Sequence, residues 1–320
     1  MKHIFIEQPR WLGDSIMTSP ALESLSQHFP NAKWTVFGSY ASTAILKQHP
    51  NTEKIIIDDS RNFFFRSLRL QKLTRGLKPF DLAISFRKTF TASLLLRFIS
   101  ANKKFCYKRQ KYFNNVHLVE HYQNFVNLIL EKKYVPGDLK IYIEKGYYSK
   151  KTLGLNPGAT YGQAKRWYPE RFAQVAYSLC KDFDIIIFGG ENEISMAQEI
   201  EKHLEINGVK NYKNYAGKTT VKQLCSAIGG LDLFITADSG PMHIAAAYQV
   251  PTVAVFGPTN HIETSPWRNK NSTLVRKNVS CSPCMRRQCP KRHHICMDNI
   301  KAADILEKIS SSGLGNNLFN

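Results

Sequence analysis

The segment Phe234-Ile235-Thr236-Ala237-Asp238-Ser239-Gly240-Pro241-Met242-His243 decides the fold. The apolar run that leads into it, from Leu231 to Ile235, reads as a strand covered on both faces, as in a parallel sheet. The strand delivers Asp238 and Ser239 to its carboxyl end. Gly240 and Pro241 then open a helix over Met242–Tyr248, where Ala245, Ala246 and Ala247 permit close packing. In open α/β sheets ligands bind beyond the carboxyl ends of strands, and the unpaired N–H groups of a helix start attract anions. Ser239 and His243 can add donors there. Asp238 would repel phosphate, so it is read as accepting hydrogen bonds from sugar hydroxyls. A plainer reading stays open, in which Asp238 or Ser239 only caps the helix.

Strands of the same kind recur on either side. The first half offers His3–Ile6, Trp34–Phe37, Lys54–Ile57 and Leu82–Ser85, and the second Leu153–Asn156, Asp184–Phe188 and Pro251–Phe256. Helical patterns alternate with them, including Arg171–Cys180 and a terminal helix Lys301–Ile309. Such alternation predicts βαβ units and mostly parallel sheets. A chain of 320 residues exceeds the size at which single cores stop growing, about 250–300 residues, so two domains are expected. The turn-rich stretch 131–150, with Val135-Pro136-Gly137-Asp138, supplies the linker and puts the boundary at 148/149.

Forty-four Lys and Arg stand against 25 Asp and Glu, a net charge of +19. Such a balance favours an anionic partner: nucleic acid, an anionic membrane or a phosphorylated substrate. Residues 61–112 hold 14 of the cations and one acid, Asp81. They read equally as a solvated face or as a surface that meets phosphate. Phe63-Phe64-Phe65, inside this stretch, is expected in the core. No apolar run approaches the roughly 18 residues of a membrane span, and the start lacks a signal peptide's features, so a soluble, cytoplasmic protein is expected.

Further segments could carry chemistry. The loop Pro157-Gly158-Ala159-Thr160-Tyr161-Gly162-Gln163-Ala164-Lys165-Arg166-Trp167 follows a strand and ends in two adjacent cations. Loops of this kind present N–H groups and hydroxyls to phosphates, with Lys as a point charge; a plain βα turn is the alternative. Phe256-Gly257-Pro258-Thr259 is another strand-ending turn. Arg10-Trp11-Leu12-Gly13-Asp14-Ser15 joins the first strand to the first helix, and Asp14 there is by spacing a helix cap or a base. Cys281, Cys284, Cys289 and Cys296, with His293 and His294 between, have the spacing of a structural zinc knuckle.

Together, Leu12-Gly13-Asp14, the Pro157–Trp167 loop, Asp238–His243 and Phe256–Thr259 resemble, in order, glycosyltransferase family 9, the lipopolysaccharide heptosyltransferases, and among them the heptosyltransferase II type. The resemblance implies a GT-B fold: two Rossmann-like domains facing across a cleft. Residues 1–148 would take the acceptor and 149–320 the nucleotide-sugar, with the terminal helix packing back towards the first domain. It implies inverting transfer of heptose from ADP-L-glycero-D-manno-heptose to the heptosyl-Kdo inner core. Asp14 would be the general base and Lys165 would stabilise the departing diphosphate. Thr160 and Tyr161 would line the phosphate loop, Ser239, Gly240 and His243 would hold phosphates, and Asp238 the donor sugar. Glu191 is a candidate for the ribose hydroxyls or a surface acid, and Thr219 and Thr220 for the adenine edge.

No cofactor and no protein-bound metal are implied, although a divalent cation could stimulate from solution. Asp182-Phe183-Asp184 precedes a strand rather than ending one. The cysteines are then reduced structural residues, against the zinc reading of their spacing. The implied partners are the donor and an anionic lipid A–Kdo–heptose acceptor, with peripheral contact at the inner face of the inner membrane, a monomeric state and no nucleic acid. The alternatives are heptosyltransferase I, another GT-B transferase or epimerase, and a basic zinc-knuckle protein that binds nucleic acid.

Overall fold

The apolar runs become the strands of two parallel sheets. The computed structural model describes residues 1–109, 115–159 and 161–311, and the chain divides into two units, Met1–Ile143 and Glu144–Asn320. The division falls between Ile143 and Glu144, within the expected linker. On one side, Lys140 N–H donates to Ser19 Oγ (2.9 Å) and Tyr142 to Glu23 (2.7 Å). On the other, Gly146 N–H donates to the Ser226 carbonyl (2.7 Å) and Tyr148 Oη to that of Ala227 (3.1 Å).

In the first unit β1 (His3–Glu7), β2 (Lys33–Gly38), β3 (Thr52–Ile57), β4 (Phe80–Ser85) and β5 (Ala101–Cys106) form a sheet of order β3-β2-β1-β4-β5. All its pairs are parallel, with Ile4 opposite Trp34 on one side and Leu82 on the other. The chain leaves β1 outward to β2 and β3, then returns to β4. The carboxyl ends of β1 and β4 are therefore the switch point, where an open α/β sheet leaves a crevice. Phe5, Phe37, Ile56, Leu70, Phe80 and Leu95 fill the core. Each large apolar side chain buried there contributes about 1.5–3 kcal/mol.

Phe63, Phe64 and Phe65 do not join that core. They bridge the short turn Ser60–Asn62 and the helix Arg66–Thr74, and are 47%, 95% and 65% exposed. The helix turns Leu70 inwards instead. The edge strand β5 is also new relative to the sequence reading: Asn102, Lys103 and Lys104 are exposed along it, which hides its apolar pattern and protects an open sheet edge.

The second unit contains β6 (Thr152–Asn156), β7 (Asp184–Ile187), β8 (Tyr212–Asn214), β9 (Leu233–Ala237), β10 (Thr252–Val255) and β11 (Ser272–Val275), in the order β11-β10-β9-β6-β7-β8. Again all pairs are parallel, with Leu155 opposite both Ile187 and Ile235. Its switch point lies between β6 and β9, so Asn156 and the Asp238-Ser239 turn share one crevice edge. The fully buried runs of β6 and β9 confirm strands covered on both faces. Trp167, buried beside Phe172, donates Nε1 to the Ile300 carbonyl at 3.0 Å. The terminal helix Ala302–Ser311 packs on the helix Pro169–Leu179 and on β10 and β11, all within its own unit.

Candidate active site

In the second unit three strand-ending loops converge on one carboxylate. Asp238, 4% exposed, follows β9. Lys165 Nζ lies 2.6 Å from its Oδ2 and also donates to its backbone carbonyl at 3.1 Å. Thr259, from the loop after β10, donates its hydroxyl to the same Oδ2 at 2.6 Å. Lys165 itself comes from the loop after β6, so Lys165, Asp238 and Thr259 tie three sheet connections together. The sequence reading assigned Lys165 to a diphosphate and Asp238 to a sugar; here each neutralises the other.

Ser239 is the N-cap residue of the helix Gly240–Ala247, yet its side chain makes no cap bond. Its Oγ accepts instead from Asn156 Nδ2 at 3.0 Å, and the same amide donates to the Gly158 carbonyl at 3.2 Å. The capping alternative is thereby removed for Ser239, and the helix start keeps its N–H groups uncapped by that side chain. His243, in the first turn, is buried.

Tyr161 lies in the loop between two cations. Lys165 Nζ is 4.9 Å and the Arg287 guanidinium 5.4 Å from its ring centre, and its hydroxyl donates to the Met285 carbonyl at 2.8 Å. Gly162 is a steric requirement, because a Cβ there would stand 2.3 Å from the Arg287 carbonyl oxygen. That carbonyl accepts from Ala164 N–H at 3.0 Å. Thr160 falls outside the described residues.

The Cys-rich segment buttresses these loops. His294 engages the Ala164 carbonyl through Nε2 (2.8 Å) and the Tyr168 hydroxyl through Nδ1 (3.2 Å). Ser282 donates to the Gly257 carbonyl at 2.6 Å. None of the seven cysteines, all among the described residues, is joined in a disulfide. Burial pushes Cys296 up to about 11, helped by Cys281, Cys284 and Cys289, whereas backbone hydrogen bonds from His294 and its neighbours pull Cys289 down. The sequence names Thr259 only within a strand-ending turn and His294 only within the cysteine spacing, and it does not single out Arg287 or Met285, because only tertiary contact brings these residues to the loop.

Past β7, Glu191 is exposed. The buried acid of that turn is Glu193, whose Oε2 accepts from Gly190 N–H at 2.8 Å while Oε1 lies 3.8 Å from Arg166. Gly217 N–H donates to the Gly189 carbonyl at 2.9 Å, placing the Thr219-Thr220 turn beside Gly190-Glu191. Thr220 caps the helix Val221–Gly229: its hydroxyl accepts from Gln223 N–H, and its own N–H donates to Gln223 Oε1. Its donors therefore serve a capping box.

In the first unit, Asp14 lies in the first turn of the helix Leu12–Met17, half-buried, past the N-cap position held by Trp11. Gln8, at the end of β1, fixes that turn: its Oε1 accepts from Ser15 (2.7 Å) and Thr18 (3.1 Å). Tyr122 is raised well above its ordinary value, first by burial and then by the Asp14 charge. Across the switch point the buried Glu7 accepts from Ser85 (2.5 Å) and Arg87 (2.8 Å). Burial lifts the Glu7 carboxyl, with Arg87 opposing it. Arg66 and Arg87 also lie within 3.5 and 3.7 Å of Asp58, and Arg69 pairs with Asp59. Three of the cations in the basic stretch are thus structural.

Against known proteins, the family model for glycosyltransferase family 9 (heptosyltransferase) matches residues 69–295. The chain is 41% identical to lipooligosaccharide heptosyltransferase 2 of Campylobacter jejuni serotype O:2, covering 95% of this chain and 96% of that one. It is 40% identical to the same-named protein of serotype O:6, covering 96% and 98%. A solved structure of Escherichia coli ADP-heptose LPS heptosyltransferase II, 21% identical, matches with a TM-score of 0.80 over 99% of this chain and all of that one, a likeness of fold. The protein is a glycosyltransferase whose two doubly wound units are those of the GT-B class. It belongs to glycosyltransferase family 9, the heptosyltransferases.

Proposed function

We propose that this chain moves heptose, with inversion, from ADP-L-glycero-D-manno-heptose to the heptosyl-Kdo inner core of lipopolysaccharide or lipooligosaccharide, adding the second heptose. The observation that carries this reading is the convergence of Lys165, Asp238 and Thr259 beside a helix start left open by Ser239. Near-full-length similarity to proteins named heptosyltransferase 2 supports the choice of sugar and step.

On this reading the diphosphate of the donor draws Lys165 away from Asp238. The Asp238 carboxylate then accepts from the donor sugar, while Ser239, Gly240, His243 and the 160–161 loop receive the phosphates. Negative charge grows on the diphosphate as the bond to the anomeric carbon breaks. Lys165 and the helix N–H groups stabilise it electrostatically. The acceptor hydroxyl forms the new bond from the opposite side, and its proton passes to Asp14. No cofactor or protein-bound metal is assigned a step; a divalent cation can stimulate from solution. Glu191 and Thr219 take the ribose and adenine side, at the ends of β7 and β8.

The acceptor is an anionic, lipid-anchored oligosaccharide, and the reading assigns it exposed cations of the basic stretch, among them Lys72, Arg75, Lys103 and Lys104. The enzyme works as a monomer at the inner face of the inner membrane, without nucleic acid. No helix among the described residues is long and apolar enough to cross a membrane. The test is incubation with ADP-heptose and lipid A–core acceptors truncated at each step, read by mass. One heptosyl mass added only to the acceptor that already carries one heptose is expected. Gain on the Kdo-terminated acceptor would reassign the step, and gain on none would overturn the reading.

A further inference from the structure

The ends of β3 and β4 carry a feature that sugar transfer does not use. After β3 the chain exposes Phe63, Phe64 and Phe65, followed one turn later by Leu68, 60% exposed. After β4 it exposes Phe90, 82%, at the start of the helix Phe90–Phe98. Both groups follow the carboxyl ends of parallel strands, so they lie on one edge of the first sheet. The helices they open, Arg66–Thr74 and Phe90–Phe98, pack on each other. The turn that carries Asp14 follows β1 on the same edge.

The triplet is held out on a braced base. Arg69 pairs with Asp59 and stacks on the Phe63 ring, 4.6 Å from its centre. Arg66 donates to Ser60 Oγ at 3.0 Å, and Phe64 and Phe65 pack edge to face. These pairs neutralise Asp58 and Asp59, the acids of the base. Arg61, Lys88 and Lys108, on the same edge, are exposed and have no acidic partner among the described residues. Exposed aromatic rings collared by unpaired cations match the boundary of an anionic bilayer: rings sit at headgroup depth and cations meet lipid phosphates. A protein groove would also accept the rings, but the excess of unpaired positive charge favours lipid.

We propose that Phe63, Phe64, Phe65, Leu68 and Phe90 form a membrane-docking element that enters the headgroup layer of an anionic phospholipid bilayer, with Arg61, Lys88 and Lys108 holding its phosphates. This deepens the functional reading by giving the enzyme its own grip on the membrane, independent of the acceptor.

The test uses the full chain and vesicles that contain no lipopolysaccharide, of phosphatidylcholine with or without phosphatidylglycerol. Co-sedimentation is expected with the anionic vesicles, falling with added salt. The variant Phe64→Ser/Phe65→Ser/Phe90→Ser, altered only at exposed positions, should bind at least tenfold more weakly. It should keep wild-type transfer to a deacylated, water-soluble acceptor. Vesicle binding equal to wild type in the variant, or no binding by wild type, overturns the proposal. So does ring-dependent self-association without vesicles in place of lipid binding. Absence of any transfer to the soluble acceptor by wild type would instead overturn the functional reading and leave the vesicle result standing.

Discussion

Lys165 and Asp238 stand 2.6 Å apart in a nearly buried pair, a poised arrangement for the diphosphate that the proposed function places there. A lysine compensated by a carboxylate is held in place without donor, and exchange of one anion for another costs less than burying a bare cation. Lys165→Ala should lower transfer by about 10²–10³-fold, the cost of losing one preorganised charge at a leaving group. It should also weaken ADP binding, measured by titration calorimetry. Unchanged rates and affinity would move the phosphate site elsewhere. The pair was half legible in the sequence. A buried strand ending in Asp-Ser-Gly-Pro marks a ligand edge, and a cation ending a glycine-containing loop marks a phosphate contact. That the two side chains meet each other depends on β6 and β9 being neighbours, which no local pattern encodes.

Among the elements, the loop after β6 owes its shape to the segment 285–294, which lies far along the chain. Gly162→Ala would drive a methyl group against the Arg287 carbonyl, 2.3 Å away. The displacement needed costs about 1–3 kcal/mol, so ADP affinity should fall by roughly tenfold or more while far-ultraviolet circular dichroism stays unchanged. Affinity equal to wild type would show that the loop does not hold the nucleotide. The segment 139–143 is tied to the helix Ser19–His28 through Glu23. Burial works to raise that carboxyl, but hydrogen bonds with His49, Lys140 and Tyr142 overcome it and hold it at about 2, below its ordinary 4.5. A depressed carboxyl stabilises the fold above its unfolded value and loses that contribution as pH falls from 4.5 towards 2. After allowance for solvent screening of a half-exposed group it is worth about 1–2 kcal/mol. Urea midpoints of Glu23→Gln should lie below wild type at pH 7 and converge with it in acid; a pH-independent gap would contradict this. The elements also mark where patterns mislead. Three consecutive phenylalanines read as core by composition, but they bridge the short turn Ser60–Asn62 and the helix Arg66–Thr74, whose inward position goes to Leu70. Lysines on β5 erase the apolar pattern of a strand that needs them at an open edge.

At the scale of the whole molecule, the charge of +19 resolves into parts. Arg66, Arg69 and Arg87 brace the first unit against Asp58, Asp59 and Glu7, and Lys165 and Arg166 serve the second. Most of the other described cations of the basic stretch are exposed, among them Lys72, Arg75, Lys103 and Lys104. Reversing those four to Glu should weaken binding of the phosphorylated acceptor and flatten its salt dependence, with ADP affinity spared. If acceptor binding is unmoved, they are a solvated surface. In the proposed function, labour is divided between a base in the first unit and a nucleotide site in the second. The most direct measurement is single-turnover transfer by wild type and Asp14→Asn, with ADP affinity measured on the same preparations. Loss of transfer by about 10²–10⁴-fold with ADP affinity unchanged is the predicted result. Full transfer by the variant, or a parallel loss of ADP affinity, would contradict it.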